Sequence, residues 1–457
     1  MSELTKADLY NEVGKRTPIF MRFSAAFLGK ESPDQGPSPR GFAIKHYTKD
    51  GNYDIVGLNW PIFFCRDPMQ GPDVFQSQQR NPEKSLDYNA TFDFLANVPE
   101  SNHAAMMLFS NHGHPKGWRK MNGYGCHTFK WVNKESQFVY VKYHFICDQG
   151  SEQLTWEEAK KKYGEDPDFS NRDLWEAIEK GEPVSWTAKV QVMKPEQADA
   201  AKLGFDPFDV TKIWPRMKFP MQDFGRLVLE KNLEKNPKDY HPYVEQSAFS
   251  PSSMVSGIEE STDMLLQARM FLYRDAQYHR LGVNFHQIQV NCPFMSSGSA
   301  SMGFGGSGNT HYASNSSVNK FRPDTAEVPY EVSDNIVSRQ SHYFTEGTHK
   351  EYDQARELYD RVMSDEARAA LHDNTAALLK LVEYPNIQIR YLAQCYCINH
   401  KYAQAIYDLL PERAFDFGRV GEVAEDAPSF GKERKFMPFG KNHRLVGNPA
   451  TIPTYQK

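Results

Sequence analysis

One short stretch places chemically active side chains at helical spacing. In RMFLYRDAQYHRLG, residues 269–282, Arg269 lies four residues before Tyr273, and Arg280 lies seven residues after it. Because a helix turns once in about 3.6 residues, these three side chains are predicted to share one face. The spacing therefore predicts a phenol flanked by two guanidinium groups.

This arrangement suits a metal-binding tyrosinate. A free phenol titrates near ~10 and is a poor anionic ligand at neutral pH, but a guanidinium within hydrogen-bond reach stabilises the phenolate. A tyrosinate is a hard donor for Fe(III) and one of the known axial ligands of haem iron. Arg280 could then pair with an acidic edge of the same cofactor, such as a propionate. The alternative is a surface helix with ordinary Arg and Tyr side chains, and the spacing alone favours that alternative.

The composition excludes several classes of protein. The chain has 457 residues, 40% hydrophobic residues and a net charge of -5, so neither a nucleic-acid partner nor a membrane span is predicted. Six cysteines are scattered without a C-x-x-C pair, which argues against a metal knuckle and indicates an intracellular, reducing compartment. The N-terminus does not resemble a signal peptide, and the C-terminus is not of the S-K-L type. Cytoplasm, peroxisome and mitochondrion are equally compatible with the sequence.

Alternating apolar residues predict an antiparallel sheet that positions the Arg-Tyr-Arg helix. Strand patterns recur from PIFMRFS, GFAIKHYT and YDIVGLNWPIFFC to QFVYVKYHFIC and SWTAKVQVM, and their aromatic and β-branched content is typical of a barrel. Ser261 is predicted to cap the ligand helix, 261–281, with Asp263 in its first turn. A Gly/Ser/Asn-rich segment, 293–349, is predicted to lie over other structure. Helical patterns fill 350–412, and 413–457 is predicted to be a tail.

Many segments resemble the haem catalases, and they occur in the order that this family has. They are GKRTPIFMRFS, RGFAIKHYTKDGNYDIVG, PIFFCRDP, QRNPEK, MNGYGCHTFKWVN, KYHFICDQG, DPFDVTKIWP, VEQSAFSPSSMVSGIE and RMFLYRDAQYHRLGVNFHQIQVNCP. The resemblance covers roughly residues 5 to 300 and is to the monofunctional, small-subunit type. It implies an α+β fold: an eight-stranded antiparallel β-barrel in residues 1–292, a wrapping segment and a C-terminal α-helical domain.

The resemblance also implies which residues hold the cofactor, haem b. By the match, Tyr273 is the axial ligand of the iron and Arg269 is its charge partner. Arg280 and Arg22, in MRFS, bind the propionates. Ser24 and Phe63 line the haem pocket, and His127, in GYGCHTF, lies on its proximal side; a buried structural histidine is the alternative for His127.

The side of the haem where peroxide reacts departs from the family pattern. The family's distal His lies in a V-V-H-A-x-G-A-G segment, and the 457 residues contain no such stretch; the N-terminal arm that threads between subunits is expected to be missing with it. The family's V-G-N-N-T-P-I-F-F reads VGLNWPIFF, so Leu58 occupies the position of the distal Asn, and Asn59 should point the other way in a strand. Gly71, in DPMQGP, stands where the family has a phenylalanine.

A surface NADPH site of some catalases is only partly matched. His103, Ser110, Asn122 and Tyr124 agree with that site, but His112 and Ile146 stand where the family has Arg and Lys. Losing two cations weakens the binding of phosphate groups. NADPH is therefore not expected to bind tightly.

These features support two hypotheses of different classes. The first is a catalase-family haem protein whose disproportionation of hydrogen peroxide is strongly impaired and which serves as a structural or regulatory subunit. The second is an active catalase, or an enzyme acting on organic hydroperoxides. Family catalases are tetramers, so a homo-oligomer, either a dimer or a tetramer, or a place in a larger assembly is expected.

Overall fold

The computed structural model describes residues 1–26, 32–34, 36–83, 85–233, 245–292 and 348–430. Nearly all of the predicted wrapping segment, 293–349, and most of the predicted tail, 413–457, lie outside those residues. Within the described ranges, no helix has the length and apolar character needed to cross a membrane.

An antiparallel sheet forms the first half of the molecule. Its strands are β1 Ile19–Ala25, β2 Arg40–Thr48, β3 Gly51–Leu58, β4 Gly123–Tyr124, β5 Phe129–Val132, β6 Phe138–Cys147, β7 Ser185–Met193, β8 Gln222–Val228 and β9 Ile258–Glu260. The pairing runs β1-β2-β3-β4-β6-β5-β9, and β7 joins β6 to β8. The described residues thus contain nine strands, of which β4 and β9 are too short to give an apolar pattern in the sequence.

Strand β3 ends earlier than its apolar run. The sequence predicted a strand through 53–65, but β3 stops at Leu58, and Pro61 three residues later lacks the N–H that would continue the ladder. Gly57 makes the last pairing possible, since a Cβ at this position would lie 2.0 Å from the carbonyl oxygen of Tyr124 on β4. Glycine therefore fixes where Leu58 leaves the sheet.

Aromatic side chains fill the space enclosed by the strands. Phe42 stacks on Phe145 and meets Trp186 edge-on, both with ring centroids 5.6 Å apart. All three are at most 1% exposed. This close-packed interior gives the strands a rigid frame on which the site residues are carried.

Helices cover the sheet and build a second core. They are α1 Gly71–Gln76, α2 Tyr88–Asn97, α3 Asn102–Phe109, α4 Trp156–Glu165, α5 Phe169–Glu179, α6 Ala200–Leu203, α7 Met264–Leu281, α8 Asp353–Glu357, α9 Asp365–Leu379, α10 Pro385–Ile398, α11 His400–Leu409 and α12 Phe417–Ala424. Helix α8 continues into a π-helical turn, Leu358–Val362. The α+β fold class is therefore confirmed.

The second core joins two distant parts of the chain. Apolar residues from 60–109 and from 352–427 form one buried cluster. Phe92 on α2, for example, stacks on Phe109 and meets Tyr391 on α10 edge-on at 4.8 Å. The predicted helical unit, 350–412, thus shares its core with the helices before β4, and α12 adds a helix inside the segment predicted to be a tail.

A buried ionic cluster ties α8 to the loops of the sheet. The Arg66 guanidinium lies 3.0 Å from Asp209 and 2.8 Å from Glu351, and Lys212 lies 3.1 Å from Glu351. Glu100 lies at 4.0 Å from Arg66. Burial raises the pKa of Glu351, but Lys212 and Arg66 outweigh it and hold that pKa at about 2. These buried side chains therefore form ion pairs with one another in place of hydrogen bonds to water.

Candidate cofactor site

Helix α7 begins with an aspartate cap. The Asp263 carboxylate accepts hydrogen bonds from the amides of Leu265 and Leu266, each at 3.0 Å. The predicted Ser261 cap is wrong: the helix starts at Met264, and the Ser261 hydroxyl donates to the Thr128 carbonyl while accepting from the Asp263 amide. A carboxylate satisfies two orphan amides and carries the charge that a helix N-terminus favours.

A chain of hydrogen bonds links this cap to Tyr273. The Arg269 guanidinium donates to the Tyr273 phenol oxygen at 3.0 Å, to the Val56 carbonyl at 3.1 Å and to His127 Nε2 at 2.7 Å. His127 Nδ1 lies 2.7 Å from an Asp263 oxygen. Since arginine only donates, Nε2 accepts and the imidazole proton resides on Nδ1. Arg269 therefore donates to both Tyr273 and His127, and His127 in turn donates to Asp263.

Burial controls the charges of this relay. It lowers the pKa of His127, although Asp263 opposes the shift, so the imidazole is neutral. Burial raises the pKa of Asp263, but His127 and the Leu266 amide outweigh it and keep the carboxyl ionised. One anion and one guanidinium therefore face each other across a neutral imidazole, which holds Arg269 in a fixed orientation against the phenol.

Two further guanidiniums approach each other at the end of α7. Arg280 donates to the carbonyls of Glu245 and Ser247, both at 2.7 Å, and to Gln277. Burial lowers the pKa of Arg280, and the charge of the exposed Arg22 on β1 lowers it further. An anionic group placed against both side chains would relieve their repulsion.

Leu58 lies in an apolar cluster and Asn59 is engaged elsewhere. Leu58 and Phe63 pack against a cluster that includes Cys126 and Leu265. The Asn59 side chain accepts from the Arg40 amide at 2.8 Å and reaches the His112 carbonyl at 3.4 Å. The two neighbouring residues therefore face different ways, and the amide of Asn59 is held in structural bonds.

The space beside Gly71 is open, whereas the space beside Gly41 is filled by Ser24. A Cβ built on Gly71 meets no atom within 4 Å, so room exists where the family's aromatic side chain would begin. The Ser24 hydroxyl sits 2.3 Å from a Cβ built on Gly41. Ser24 therefore fills a gap in the β1-β2 pair, which only glycine leaves open.

The four residues that resemble the NADPH site make hydrogen bonds within the fold, and the Asn122 amide donates to the Tyr124 hydroxyl at 3.4 Å. His103 contacts the Thr211 carbonyl at 3.3 Å, and burial lowers its pKa to about 4. Ser110 accepts from the His112 amide, and Asn122 accepts from the Cys147 amide. Tyr124, the fourth, lines a cavity of about 60 Å³ together with Lys142, His144 and Arg216.

Several of these residues escaped the sequence analysis. The sequence identified Asp263 only as a first-turn residue, because its partner His127 precedes it by more than a hundred positions and no local pattern connects the two. Lys142 and His144 share one face of β6 in an otherwise apolar run, a signal that marks buried polar groups. Arg216 has no such signal, since it lies in a loop without periodicity.

The donor set fits haem. The phenol oxygen that accepts from Arg269 is a donor that could hold iron, and the charges of Arg22 and Arg280 could bind two carboxylates. Leu58 and Phe63 supply apolar contacts. Among the described residues, no group of three or more His, Cys, Asp or Glu side chains could hold a bare metal ion.

The comparisons with known proteins all lead to one family. The family model described as "Catalase" matches residues 1–327, and the one described as "Catalase-related immune-responsive" matches 345–410. The chain is similar to a catalase of Methanosarcina barkeri (strain Fusaro / DSM 804), 42% identical over 95% of this chain and 86% of that protein. It is also similar to one of Ascaris suum, 39% identical over 100% and 83%. A crystal structure of a fungal catalase superposes with a TM-score of 0.82 and 37% identity over 90% of this chain and 84% of that one. Catalase A from Saccharomyces cerevisiae gives 0.81 and 36% over 90% and 85%.

Proposed function

Because the chain belongs to the catalase family, we propose that it is a haem protein that holds iron through Tyr273 and disproportionates hydrogen peroxide weakly or not at all. Homologues of this family support haem binding and peroxide chemistry in general. The finer assignment is supported by residues of this chain, first on the proximal side of the haem and then on its distal side.

The proximal side retains what haem needs. Tyr273 would supply the oxygen that holds the iron, and Arg269, oriented by His127 and Asp263, would donate a hydrogen bond to that oxygen. Arg22 and Arg280 would bind the two carboxylates, and Phe63 would pack against the macrocycle. Haem b, when bound, would supply the redox chemistry of peroxide cleavage, and these residues would hold it in place.

By the family match, Leu58 stands on the distal side in the position of an amide. Peroxide cleavage needs a proton moved between two oxygens, and positioned acid-base groups contribute about 10²–10⁴-fold to such steps. The side chain of Leu58 can neither donate nor accept a hydrogen bond, and it packs against the apolar cluster that includes Cys126 and Leu265. This packing is the observation that carries the proposal. Leu58 lies inside the chain, so its effect does not depend on the residue at which the chain begins.

A second candidate follows from Gly71. The open space around its Cα gives room for a substituent on the second oxygen of a peroxide. An enzyme for organic hydroperoxides would use that room, and an active catalase would need another group in place of the distal His and Asn. Either could work as a homo-oligomer. An impaired protein could instead be a structural or regulatory subunit of a larger assembly.

NADPH is not proposed as a tight ligand. His112 and Ile146 supply no fixed positive charge, and His103, Ser110 and Asn122 already bond within the fold. Arg216 adds one exposed cation near Tyr124. Arg216 does not replace the two cations that the family has at the positions of His112 and Ile146, so phosphate binding is weakened.

Oxygen release from hydrogen peroxide, per mole of bound haem, tests the proposal. We expect a rate at least about 100-fold below that of an ordinary catalase. Leu58→Asn restores an amide that can orient peroxide, and we expect it to raise the rate by about tenfold. Leu409→Asn, on an exposed leucine of α11, is the matched control and should change nothing. A wild-type rate equal to that of an ordinary catalase would refute the impaired site.

A further inference from the structure

The cavity beside Tyr124 contains charge that the catalytic proposal does not use. It measures about 60 Å³, and on this measure one water occupies about 10–15 Å³. A group of about four or five non-hydrogen atoms therefore fits. Lys142 and Trp214 form part of its wall, and the ammonium lies 5.8 Å from the centroid of that indole ring.

Two cations face this space. Lys142 is 4% exposed, and its ammonium donates to the carbonyls of Cys126 and Lys212 at 3.0 and 3.2 Å. An ammonium has three N–H donors, and among the described residues Lys142 forms no ion pair. Arg216 is exposed at the mouth and likewise forms no ion pair with a described carboxylate. The cavity therefore favours an anion.

His144 adds a requirement for a hydrogen on the ligand. Gln191 uses its amide nitrogen to donate to the Trp214 and Phe219 carbonyls, so its oxygen accepts from His144 Nε2 at 2.9 Å. The imidazole proton is thereby fixed on Nε2, and Nδ1 becomes an acceptor. Nδ1 is buried and has no hydrogen-bond partner among the described residues. Burial first, and then Arg216 and Lys142, lower the pKa of His144 to about 4, so the ring is neutral at pH 7.

We propose that this cavity binds a small oxyanion that carries one hydroxyl hydrogen, with bicarbonate as the best match. Its hydroxyl would donate to His144 Nδ1, and its other oxygens would accept from Lys142 and Arg216. Its four non-hydrogen atoms fit the volume. An anion without a hydroxyl hydrogen, such as formate or nitrate, would leave Nδ1 facing negative oxygen and should bind more weakly.

Calorimetric titration of the haem-loaded full chain with bicarbonate at pH 8 and constant ionic strength tests the site. We expect a dissociation constant of about 0.1–10 mM and at least about tenfold weaker binding of formate and nitrate. Arg216→Ala should weaken bicarbonate binding by about tenfold. Lys218→Ala, which removes another exposed cation of the same loop, should not.

Haem absorption separates this site from anion binding at the iron. Anion binding at the iron changes the haem spectrum and should be the same in Arg216→Ala, whereas the proposed site loses its heat of binding in that variant. His144→Leu should remove the preference for bicarbonate over formate. Equal affinities for all three anions in the wild type, no heat of binding, or an unchanged affinity in Arg216→Ala would each overturn the proposal.

Discussion

Glu351 offers the sharpest test of how the helical part is held to the sheet. Glu351→Gln keeps the shape of the side chain and removes its charge next to Arg66 and Lys212. The Glu351 carboxyl has a pKa of about 2 against an ordinary 4.5, and each pKa unit corresponds to about 1.36 kcal/mol. The ionised carboxylate therefore stabilises the folded state by about 3 kcal/mol. Removing one partner of a buried pair costs a similar ~3–5 kcal/mol.

The pH dependence of this effect has a definite sign. A carboxyl whose pKa is depressed on folding contributes its full stabilisation above its unfolded pKa and loses it as the pH falls towards the folded value. The contribution should thus be complete at pH 7 and decline between pH 4.5 and 2. At pH 3.5 the difference between wild type and Glu351→Gln should be smaller by about 1–2 kcal/mol.

Hydrogen exchange with mass spectrometry measures this effect locally. Protection of α9, α10 and α11 should fall in Glu351→Gln by about 3 kcal/mol, while β6 changes little. Glu357→Gln is the control, because its ion pair with Arg361 is exposed and should contribute less than about 1 kcal/mol. Equal protection of the three helices in Glu351→Gln and wild type would refute the reasoning, since Asp209 and Glu100 would then suffice for Arg66.

Three further predictions concern the relay and the frame. Tyr273→Phe should remove the tyrosinate-to-iron absorption of the haem-loaded protein while Tyr278→Phe, on an exposed ring of the same helix, keeps it. Gly57→Ala forces its Cβ against the Tyr124 carbonyl at 2.0 Å and should lower the melting temperature by several degrees, as about 1–3 kcal/mol of overpacking would; Gly164→Ala, in open space on α4, should not. His46 has a pKa lowered to about 4 by burial, so folding disfavours its protonated form and stability should fall as the pH drops from 6.5 to 4. In His46→Gln the free energy of unfolding, measured in urea, should change by about 3 kcal/mol less between pH 6.5 and 4 than in wild type. The same pH dependence in both proteins would contradict this assignment.

The sequence predicted those features that depend on local patterns. Strands β1, β2 and β6 and the helix of Tyr273 follow from period and propensity. Contacts between distant segments gave no such signal. The pairing of Asp263 with His127 depends on how β5 docks against α7, and the end of β3 depends on the contact of Gly57 with β4. The charge of Lys142 is visible in the sequence, but its burial beside His144 and Arg216 is a product of the fold.

The shared core of residues 60–109 and 352–427 has a consequence for synthesis. Barrel residues pack with partners that are all made by residue 270. The apolar faces of α2 and α3 instead pack against chain that is made roughly 240 residues later. At about 5–20 residues per second, these faces stay uncovered for about 10–50 s in every newly made chain. Chaperones and aggregation therefore compete for α2 and α3 during that interval, which makes the yield of this protein sensitive to the speed of translation.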